Sequence, residues 1–289
     1  MSPQLDQDQF DRVRRLVREV CGVVLSPGKE YLVEHRLGPL VARSGCADYD
    51  AFLALARADR NGPWFRRLVD AITTHETSFF RDIHPFEAFA NDILPWLHER
   101  IRERRSRPHS RRGPKASIWS VACSTGQEPY SLAMLFHEYL ARASDPELGG
   151  HDLAIVGTDI STSVLATAVE GLFSDLAIGR GLSPQRRDRF FVQVEAGGWE
   201  VRSELRAMVD FRYHNLLDDL APLGGCDVIF CRNVLIYFAH DLRRSICERL
   251  REALAPGGYL VLGAAESLES GMSGMQGERC GQTMLYRRV

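Results

Sequence analysis

The sequence has no excess of basic residues and no long apolar run. Among its 289 residues, 36 are Lys or Arg and 38 are Asp or Glu, which gives a formal net charge of -2. A protein that binds nucleic acid over its whole surface would usually be basic. No apolar run approaches the roughly 18 residues that a membrane helix needs, and the initial MSPQLDQDQF lacks a signal-peptide pattern. These absences argue against a nucleic-acid partner and against direct membrane insertion.

The cysteines also lack a pattern that would bind metal or form a disulfide framework. They are odd in number and include no CxxC pair: Cys21, Cys46, Cys123, Cys226, Cys231, Cys247 and Cys280. This usage favours free thiols in a reducing compartment. We therefore predict no metal site and a cytoplasmic location.

Residues 1–75 have helical periodicity and almost no strand pattern. In FDRVRRLVREVCGVVL, five apolar residues recur at steps of three and four, as on one face of an amphipathic helix. They are Phe10, Val13, Leu16, Val17 and Val20. The same helix carries Arg12, Arg14, Arg15 and Arg18, which we interpret as a solvated face, with a docking surface for an acidic partner as the alternative. The sequence predicts a helical N-terminal domain over 1–75.

Residues 76–117 are expected to form a linker and a helix before the next domain. The basic segment 99–115, ERIRERRSRPHSRRGPK, ends in proline and glycine and is typical of a helix end followed by an exposed loop. A nucleic-acid patch is the alternative, but the segment has no interleaved aromatic residues for base stacking.

Residues 118–289 alternate between strand and helix patterns. The predicted strands are IWSVAC, DLAIVGTDI, VDFRYHNLL, CDVIFCRN, GGYLVLGA and TMLYRRV, with helical segments between several of them. This alternation predicts a doubly wound α/β sheet with helices on both faces. In such sheets ligands bind at the carboxyl ends of the strands, where the strand order reverses.

The segment VACSTGQEPYSLAM, residues 121–134, follows the first predicted strand. It has one glycine and no GK[ST], so it is a poor phosphate-binding loop. Ser124 or Thr125 with Gln127 or Glu128 could form a capping box, which would explain much of the pattern by itself. Alternatively, the polar groups of this turn suit a ligand with an ammonium group.

Further polar residues follow the other predicted strands. Asp159 ends the second strand, where it can accept hydrogen bonds from a ribose diol or cap the next helix. Asn215 ends the third strand and could meet an adenine edge, and Arg232 and Tyr237 follow the fourth. A ribose-and-adenine ligand without phosphates indicates S-adenosylmethionine in preference to NAD or ATP.

The segment THETSFFRD, residues 74–82, joins the helical region to the α/β region. One interpretation is a hinge in which Phe79 and Phe80 fill the interface. The other is a ligand site, because the Arg81 guanidinium could bind a carboxylate through two parallel hydrogen bonds.

Five segments in order along the chain resemble the chemotaxis receptor glutamate methyltransferases, the CheR family. They are THETSFFRD, WSVACSTGQEPYSLAM, GTDIS, HNLLD and IFCRNVLIYF. The resemblance implies a small all-helical N-terminal domain and a Rossmann-like methyltransferase domain with a small inserted β-subdomain, expected at about 190–213. It implies methyl transfer from S-adenosylmethionine, with S-adenosylhomocysteine as the product, to glutamate side chains on the cytoplasmic helical bundle of chemoreceptors.

The resemblance also implies site residues. The cofactor-binding set is His75, Thr77, Arg81, Gln127, Glu128, Asp159, Asn215, Leu216, Cys231 and Arg232. Arg81 and Tyr237 are the expected catalytic residues. His75 stands where the family usually has asparagine, and Gln127 where it often has glutamate. The short turn EAGGWE makes binding of a receptor C-terminal tether peptide by the β-subdomain unlikely.

Two other functions stay open on the sequence alone. One is methylation of RNA or of another protein by a related enzyme, with the basic segment 99–115 as the RNA contact. The other is a non-catalytic scaffold that binds receptors. An alkali-labile methyl product would distinguish the glutamate ester from both.

Overall fold

The computed structural model describes residues 4–107, 113–269 and 271–289. It begins with four helices: α1 (Gln7–Cys21), α2 (Glu30–Ser44), α3 (Tyr49–Ala58) and α4 (Pro63–Ile72). Asp6 caps α1 through a capping box with Gln9, and the five apolar residues predicted to share one face of α1 are all buried. The four helices enclose a core of their own, which includes Leu37 and Phe52.

A second helical stretch connects these helices to the sheet. It consists of α5 (His84–Ala88), a π-helical turn (Phe89–Ile93) and α6 (Leu94–Arg105). The end of α6 is held by buried acids: Arg104 binds both carboxylate oxygens of Asp227 at 2.7 Å, and Arg105 pairs with Asp152. This accounts for two arginines of the basic segment as structural ion pairs, whereas residues 108–112 of that segment lie outside the described residues.

The main sheet has seven strands. In chain order they are β1 (Ala116–Val121), β2 (Leu153–Asp159), β6 (Val209–Tyr213), β7 (Cys226–Cys231), β8 (Leu254–Leu262), β9 (Met275–Cys280) and β10 (Thr283–Arg288). The spatial order is β6-β2-β1-β7-β8-β10-β9. The first five strands in this order are parallel, and β10 pairs antiparallel with both β8 and β9. The order reverses between β1 and β7, so the expected ligand position is at that point of the sheet.

Helices cover both faces of this sheet. The longer ones in this region are α7 (Gln127–Leu140), α8 (Thr162–Glu170) and α12 (His240–Ala253). Successive strand residues face opposite cores: Ile118 packs with α6 and α7, whereas Trp119 packs with α12. Because the parallel strands are covered on both sides, β7 is buried at every position. The prediction of a doubly wound α/β sheet is confirmed.

A separate three-stranded sheet is inserted after α8. It contains β3 (Leu172–Phe173), β4 (Phe191–Gln193) and β5 (Trp199–Val201) in the order β3-β5-β4. The short helices α9 (Asp175–Gly179), α10 (Pro184–Phe190) and α11 (Ser203–Arg206) flank these strands. The small sheet thus begins and ends earlier than the predicted 190–213, because 209–213 pairs with β2 as an edge strand of the main sheet. Strands of two or three residues are too short to give a periodic pattern.

Among the described residues, no helix combines the length and apolar character needed to cross a membrane.

Candidate cofactor site

A cleft opens at the carboxyl ends of β1, β2, β6 and β7. It encloses about 1110 Å³ measured out to open solvent. Its walls come from both halves of the chain: Cys21, Val23 and Ile72 belong to the helical region, and the segment 73–78 crosses between that region and the sheet. The cleft therefore lies at the reversal of strand order and is closed on one side by the N-terminal helices.

The turn after β1 has a tight and partly strained backbone. Ala122 and Ser124 both have φ of 52°, in the left-handed region, and Gly126 has φ of 91°. The Ser124 N–H donates to Asp159 Oδ2 at 2.9 Å, and its hydroxyl donates to the His75 carbonyl at 2.9 Å. Ser124 thus ties the turn after β1 to the end of β2 and to the segment 73–81.

Gln127 and Glu128 begin α7 but do not form the capping box considered above. Helix α7 starts after Gly126 with no side-chain cap, and the Thr125 hydroxyl donates to Gln127 Oε1 at 2.8 Å. Gln127 is 5% exposed and does not line the cleft, whereas Glu128 does. Of the two residues, only Glu128 therefore lines the cleft. Its Oε1 accepts from the Ser120 hydroxyl and its Oε2 accepts from Arg232 Nη1, each at 2.8 Å.

Asp159 places a buried carboxylate at the end of β2. Its side chain accepts hydrogen bonds from the N–H groups of Ser124 and Ser161, each at 2.9 Å. Ser161, not Asp159, caps α8, through Val164 N–H. Burial raises the pKa of Asp159. A carboxylate has about four acceptor positions, so two remain for a ligand in the cleft.

Arg232 uses its side chain inside the protein. Its Nη1 donates to Glu128 Oε2 at 2.8 Å, and its Nη2 donates to the Arg81 carbonyl at 2.6 Å and to Asp82 Oδ2 at 2.9 Å. The guanidinium lies over the Phe86 ring, 5.2 Å from its centroid. Sequence reasoning placed Arg232 at this sheet edge but missed that it fastens the 76–82 segment to β7.

The segment 73–81 carries three of the predicted residues along one wall. His75, Thr77 and Arg81 all line the cleft. Arg81 Nη1 donates to the Glu76 carbonyl at 2.7 Å, which curls the side chain back over the segment. Phe79 and Phe80 are buried, and Phe79 packs edge-on against Phe173 and Phe191 of the small sheet. The segment is thus both an apolar anchor and a wall of the cleft.

The residues after β6 hold the N-terminal helices in place. Asn215 Nδ2 donates to the Val20 carbonyl at 2.7 Å, and its Oδ1 accepts from Leu217 N–H at 3.1 Å. The amide is therefore engaged within the protein, while Leu216 and His214 also line the cleft. Burial lowers the pKa of His214, and its Nε2 is buried with no partner among the described residues.

Tyr237 lines the cleft from a 3-10 turn (Leu235–Tyr237) that follows β7. Its carbonyl accepts from Val24 N–H at 2.9 Å, which joins this turn to the chain after α1. Cys231, the last residue of β7, is fully buried and does not line the cleft. Burial raises the pKa of both Cys231 and Cys123 well above the usual range, so neither thiol is poised as a nucleophile.

Comparison with known families decides the identity of the fold. The model of the CheR methyltransferase all-alpha domain matches residues 8–73, and that of the CheR methyltransferase SAM binding domain matches residues 75–282. The chain belongs to the CheR methyltransferase family. It is similar to chemotaxis protein methyltransferase 1 of Pseudomonas aeruginosa, with 40% identity over 96% of this chain and 97% of that protein.

Two further CheR relatives cover the chain to the same extent. The chemotaxis protein methyltransferase of Vibrio parahaemolyticus is 40% identical over 98% of this chain and 97% of that protein. Chemotaxis protein methyltransferase Cher2 of Pseudomonas putida is 38% identical over 96% of this chain and 97% of that protein. The resemblance inferred from the sequence is confirmed, and the chain is a chemotaxis methyltransferase that uses S-adenosylmethionine.

The polar groups of the cleft fit the CheR cofactor. The cleft lining includes the Asp159 and Glu128 carboxylates and the Arg81 and Arg232 guanidinium groups, and Arg232 is paired with Glu128 and Asp82. The two acceptor positions that remain on Asp159 suit the hydroxyl groups of a ribose. The His214 side chain also lines the cleft, but its Nε2 is shielded from solvent and is not an open hydrogen-bonding group. Asp159 therefore supplies the clearest acceptors for the adenosine part of the cofactor.

Several residues of this CheR cleft were not among the predicted cofactor-binding residues. Val23, Ser124, His214, Asn233 and Val234 also line it, although the sequence had placed Asn233 with Arg232 at the carboxyl edge of the sheet. Asn233 follows Arg232 directly and has φ of 57°, and asparagine tolerates this conformation better than most residues. The FCRN sequence was therefore a usable signal, whereas nothing in the local sequence places Val23 against the sheet.

Proposed function

We propose that the chain transfers the methyl group of S-adenosylmethionine to glutamate side-chain carboxylates of chemoreceptors and so forms methyl esters. The observation that carries the proposal is the joint presence of Arg81 and Tyr237 on the cleft lined by Asp159 and Glu128. One cation and one hydroxyl beside a cofactor cleft suit an acceptor that is an anion. The names of the curated relatives, chemotaxis protein methyltransferases, support the same substrate class.

The proposed cofactor contacts follow from the positions of the side chains. Asp159 accepts hydrogen bonds from the ribose diol, and Glu128 faces the cationic amino acid end. Because the Asn215 amide binds the Val20 carbonyl, Asn215 and Leu216 meet the adenine through the backbone and apolar contact. His75, Thr77 and Arg81 border the methionine end. Gln127, Cys231 and Arg232 act by supporting these groups.

The chemistry needs little from the protein beyond alignment. When bound, the cofactor supplies an electrophilic methyl group on a sulfonium. A glutamate carboxylate is already ionised at neutral pH, so no general base is required. Arg81 and Tyr237 orient the attacking oxygen in line with the carbon–sulfur bond and hold the carboxylate as water leaves. A carboxylate held there would accept the methyl group as an ester, and the cofactor would leave as the thioether S-adenosylhomocysteine.

The partner proposed is the cytoplasmic helical bundle of chemoreceptors, with no tether peptide. The turn between β4 and β5 is short, with Gly197 and Gly198 both at φ of 94°, and this argues against a binding surface for a tether peptide.

RNA is the weaker alternative acceptor, because Arg100, Arg104 and Arg105 of the basic segment bind Asp227 and Asp152 instead of facing solvent freely. A non-catalytic scaffold would have no use for Arg81 and Tyr237 beside the cofactor.

Transfer of labelled methyl to receptor-rich membranes tests the proposal. The wild type should give label that is lost in mild alkali, whereas methylated bases or amines would keep it. Arg81→Ala and Tyr237→Phe should each slow transfer by about 10²-fold through lost alignment. Tyr213→Phe is the matched control, since Tyr213 is 54% exposed outside the cleft. Full activity in both site variants would refute the proposed roles.

A further inference from the structure

Glu266 is surrounded by backbone donors. Its Oε1 accepts from the N–H groups of Val234, Leu235 and Ile236, at 2.9, 2.7 and 3.3 Å. Its Oε2 accepts from Asn233 N–H at 2.8 Å and from Gly263 N–H at 2.9 Å. Five N–H groups thus converge on one carboxylate, and no cationic side chain pairs with it among the described residues. The oriented backbone dipoles take the place of a counter-charge.

The segment held by Glu266 forms one wall of the cofactor cleft. Asn233, Val234 and Tyr237 line the cleft, whereas Glu266 does not. Asn233 has φ of 57°, a left-handed conformation that asparagine tolerates, and its N–H donates to Glu266 Oε2 at 2.8 Å. Glu266 therefore acts on the cleft through the backbone of 233–236.

Gly263 leaves the room that this arrangement needs. A Cβ at position 263 would lie 2.6 Å from Glu266 Oε2 and 2.9 Å from the Asn233 nitrogen. Any side chain there would push the carboxylate off the N–H groups. The spacing Gly263–Ala264–Ala265–Glu266 after β8 is thus matched to the turn after β7, and Glu266 itself lies outside the segments singled out in the sequence.

We propose that Glu266 is a positioning residue that fixes the turn 233–237 and thereby sets cofactor affinity and the placement of Tyr237. The carboxylate is suited to this task because both of its oxygens only accept hydrogen bonds. A glutamine of the same size would present an NH₂ group to one set of N–H donors. The inference rests on the proposed use of the cleft by the cofactor, but it does not depend on the acceptor.

The test measures binding of S-adenosylhomocysteine by calorimetry and methyl transfer by the full chain. In Glu266→Gln, the dissociation constant should rise by roughly 10- to 100-fold, as expected for lost hydrogen bonds to a charged group. The KM for the cofactor should rise and kcat should fall, with the KM for the acceptor unchanged. Glu269→Gln is the matched control, because Glu269 pairs with exposed His240 and, among the described residues, forms no hydrogen bond or ion pair with the turn 233–237.

The stoichiometry measured by calorimetry distinguishes weaker binding by folded protein from a loss of folded protein. A Glu266→Gln protein with fewer binding sites but an unchanged dissociation constant would overturn the proposal, as would wild-type binding and kinetics. If Glu266→Gln does not fold, Glu266→Asp keeps the charge but is one methylene shorter, and it should bind several-fold more weakly than the wild type. Wild-type affinity in Glu266→Asp would also overturn the proposal. A wild-type protein that binds no S-adenosylhomocysteine would overturn both this inference and the proposed function.

Discussion

Asp159 is a buried acid at the end of β2, and its protonation state determines how many hydrogen bonds it can accept from a ligand in the cleft. Burial raises its pKa, so it takes up a proton at a higher pH than an ordinary aspartate. The protonated acid loses acceptor capacity for a ribose diol. Binding of S-adenosylhomocysteine should therefore weaken as the pH falls through this raised pKa. Calorimetry over a range of pH measures the effect.

The same raised pKa affects folding stability in the opposite direction: the stability of the ligand-free protein falls, and ligand binding strengthens, as the pH rises. Because the folded-state pKa of Asp159 is above that of the unfolded chain, its contribution to ligand-free stability is present below the unfolded pKa. It is lost as the pH rises through the folded pKa. Asp159→Asn should bind S-adenosylhomocysteine roughly 10- to 100-fold more weakly and with a flatter pH profile. An unaltered profile in Asp159→Asn would assign the pH dependence to another group.

Arg232 is a buried cation whose loss should strongly lower the free energy of unfolding. Its side chain is 2% exposed and binds Glu128, Asp82 and the Arg81 carbonyl together. Arg232→Met should lower the free energy of unfolding by about 3–5 kcal/mol, because Glu128 is left buried without its partner. Arg232→Lys should also be damaging, since one ammonium cannot reproduce the planar fork. Urea denaturation measures both.

Arg244 provides the control for Arg232. It is 62% exposed and pairs with Glu248 on the surface of α12, so Arg244→Met should change stability by less than about 0.5 kcal/mol. Equal losses in the two methionine variants would mean that the buried network has no special role.

At the scale of elements, the junction after α1 couples the helical region to the cleft. Gly22 ends α1 with φ of 74°, and an added Cβ would lie 2.7 Å from Leu242 and 3.1 Å from Phe238. Val24 N–H, two residues on, donates to the Tyr237 carbonyl. The absence of a side chain at residue 22 therefore lets the end of α1 pack closely against Leu242 and Phe238, beside the turn that carries Tyr237.

Gly22→Ala should lower both stability and affinity for S-adenosylhomocysteine. Gly45→Ala is a matched comparison, because Gly45 ends α2 with φ of 75° and an added Cβ there meets nothing within 4 Å. Both variants carry the left-handed penalty of roughly 1–2 kcal/mol, but only Gly22→Ala adds the clash. Thermal unfolding and calorimetry measure the two effects. Equal affinities in the two variants would exclude coupling through this junction.

Elements with a strong period could be read from the sequence, and the others could not. The stripe from Phe10 to Val20 predicted α1, and the apolar run CDVIFC predicted a strand that is buried throughout. By contrast, β9 (MQGERC) was not predicted, because it is a polar edge strand held by pairing with β10. The two-residue β3 likewise depends on β5 for its existence.

The residues of the candidate site also fall into those that local sequence predicts and those that it does not. Local sequence predicted that Asp159, Glu128 and Tyr237 follow strands that end at one edge of the sheet, and all three line the cleft. It could not predict that Asn215 would bind Val20, 195 positions away, or that Glu266 would bind the turn after β7. Those contacts are set by packing between elements that are distant in the chain.

At the scale of the whole molecule, the cleft is a shared boundary between separate cores. Cys21 and Ile72 belong to the core of the four N-terminal helices, and Ser161 at the start of α8 donates to Asp70 of α4 at 2.6 Å. A ligand that fills the cleft should contact both sides, because residues of both line it. Its binding energy therefore stabilises both regions against opening.

Hydrogen exchange can test this coupling. S-adenosylhomocysteine at 100 times its dissociation constant should add about 2.7 kcal/mol of protection. We expect slower exchange in peptides from the end of α1 as well as in those from the ends of β1 and β2. The β9–β10 hairpin forms the sheet edge beyond β8, contributes no residue to the cleft lining and provides an internal reference for local opening. Protection limited to the strand ends would mean that the helices do not close over the ligand.

The turn bound by Glu266 also bears on how the enzyme could be re-engineered. Every hydrogen bond between Glu266 and 233–236 uses a main-chain N–H group, so a change of the Ile236 side chain removes none of them. Ile236 is 46% exposed on this turn, next to Tyr237. Libraries at position 236 that omit proline should therefore alter acceptor preference while the catalytic framework stays intact, which makes this position a practical starting point for directed evolution.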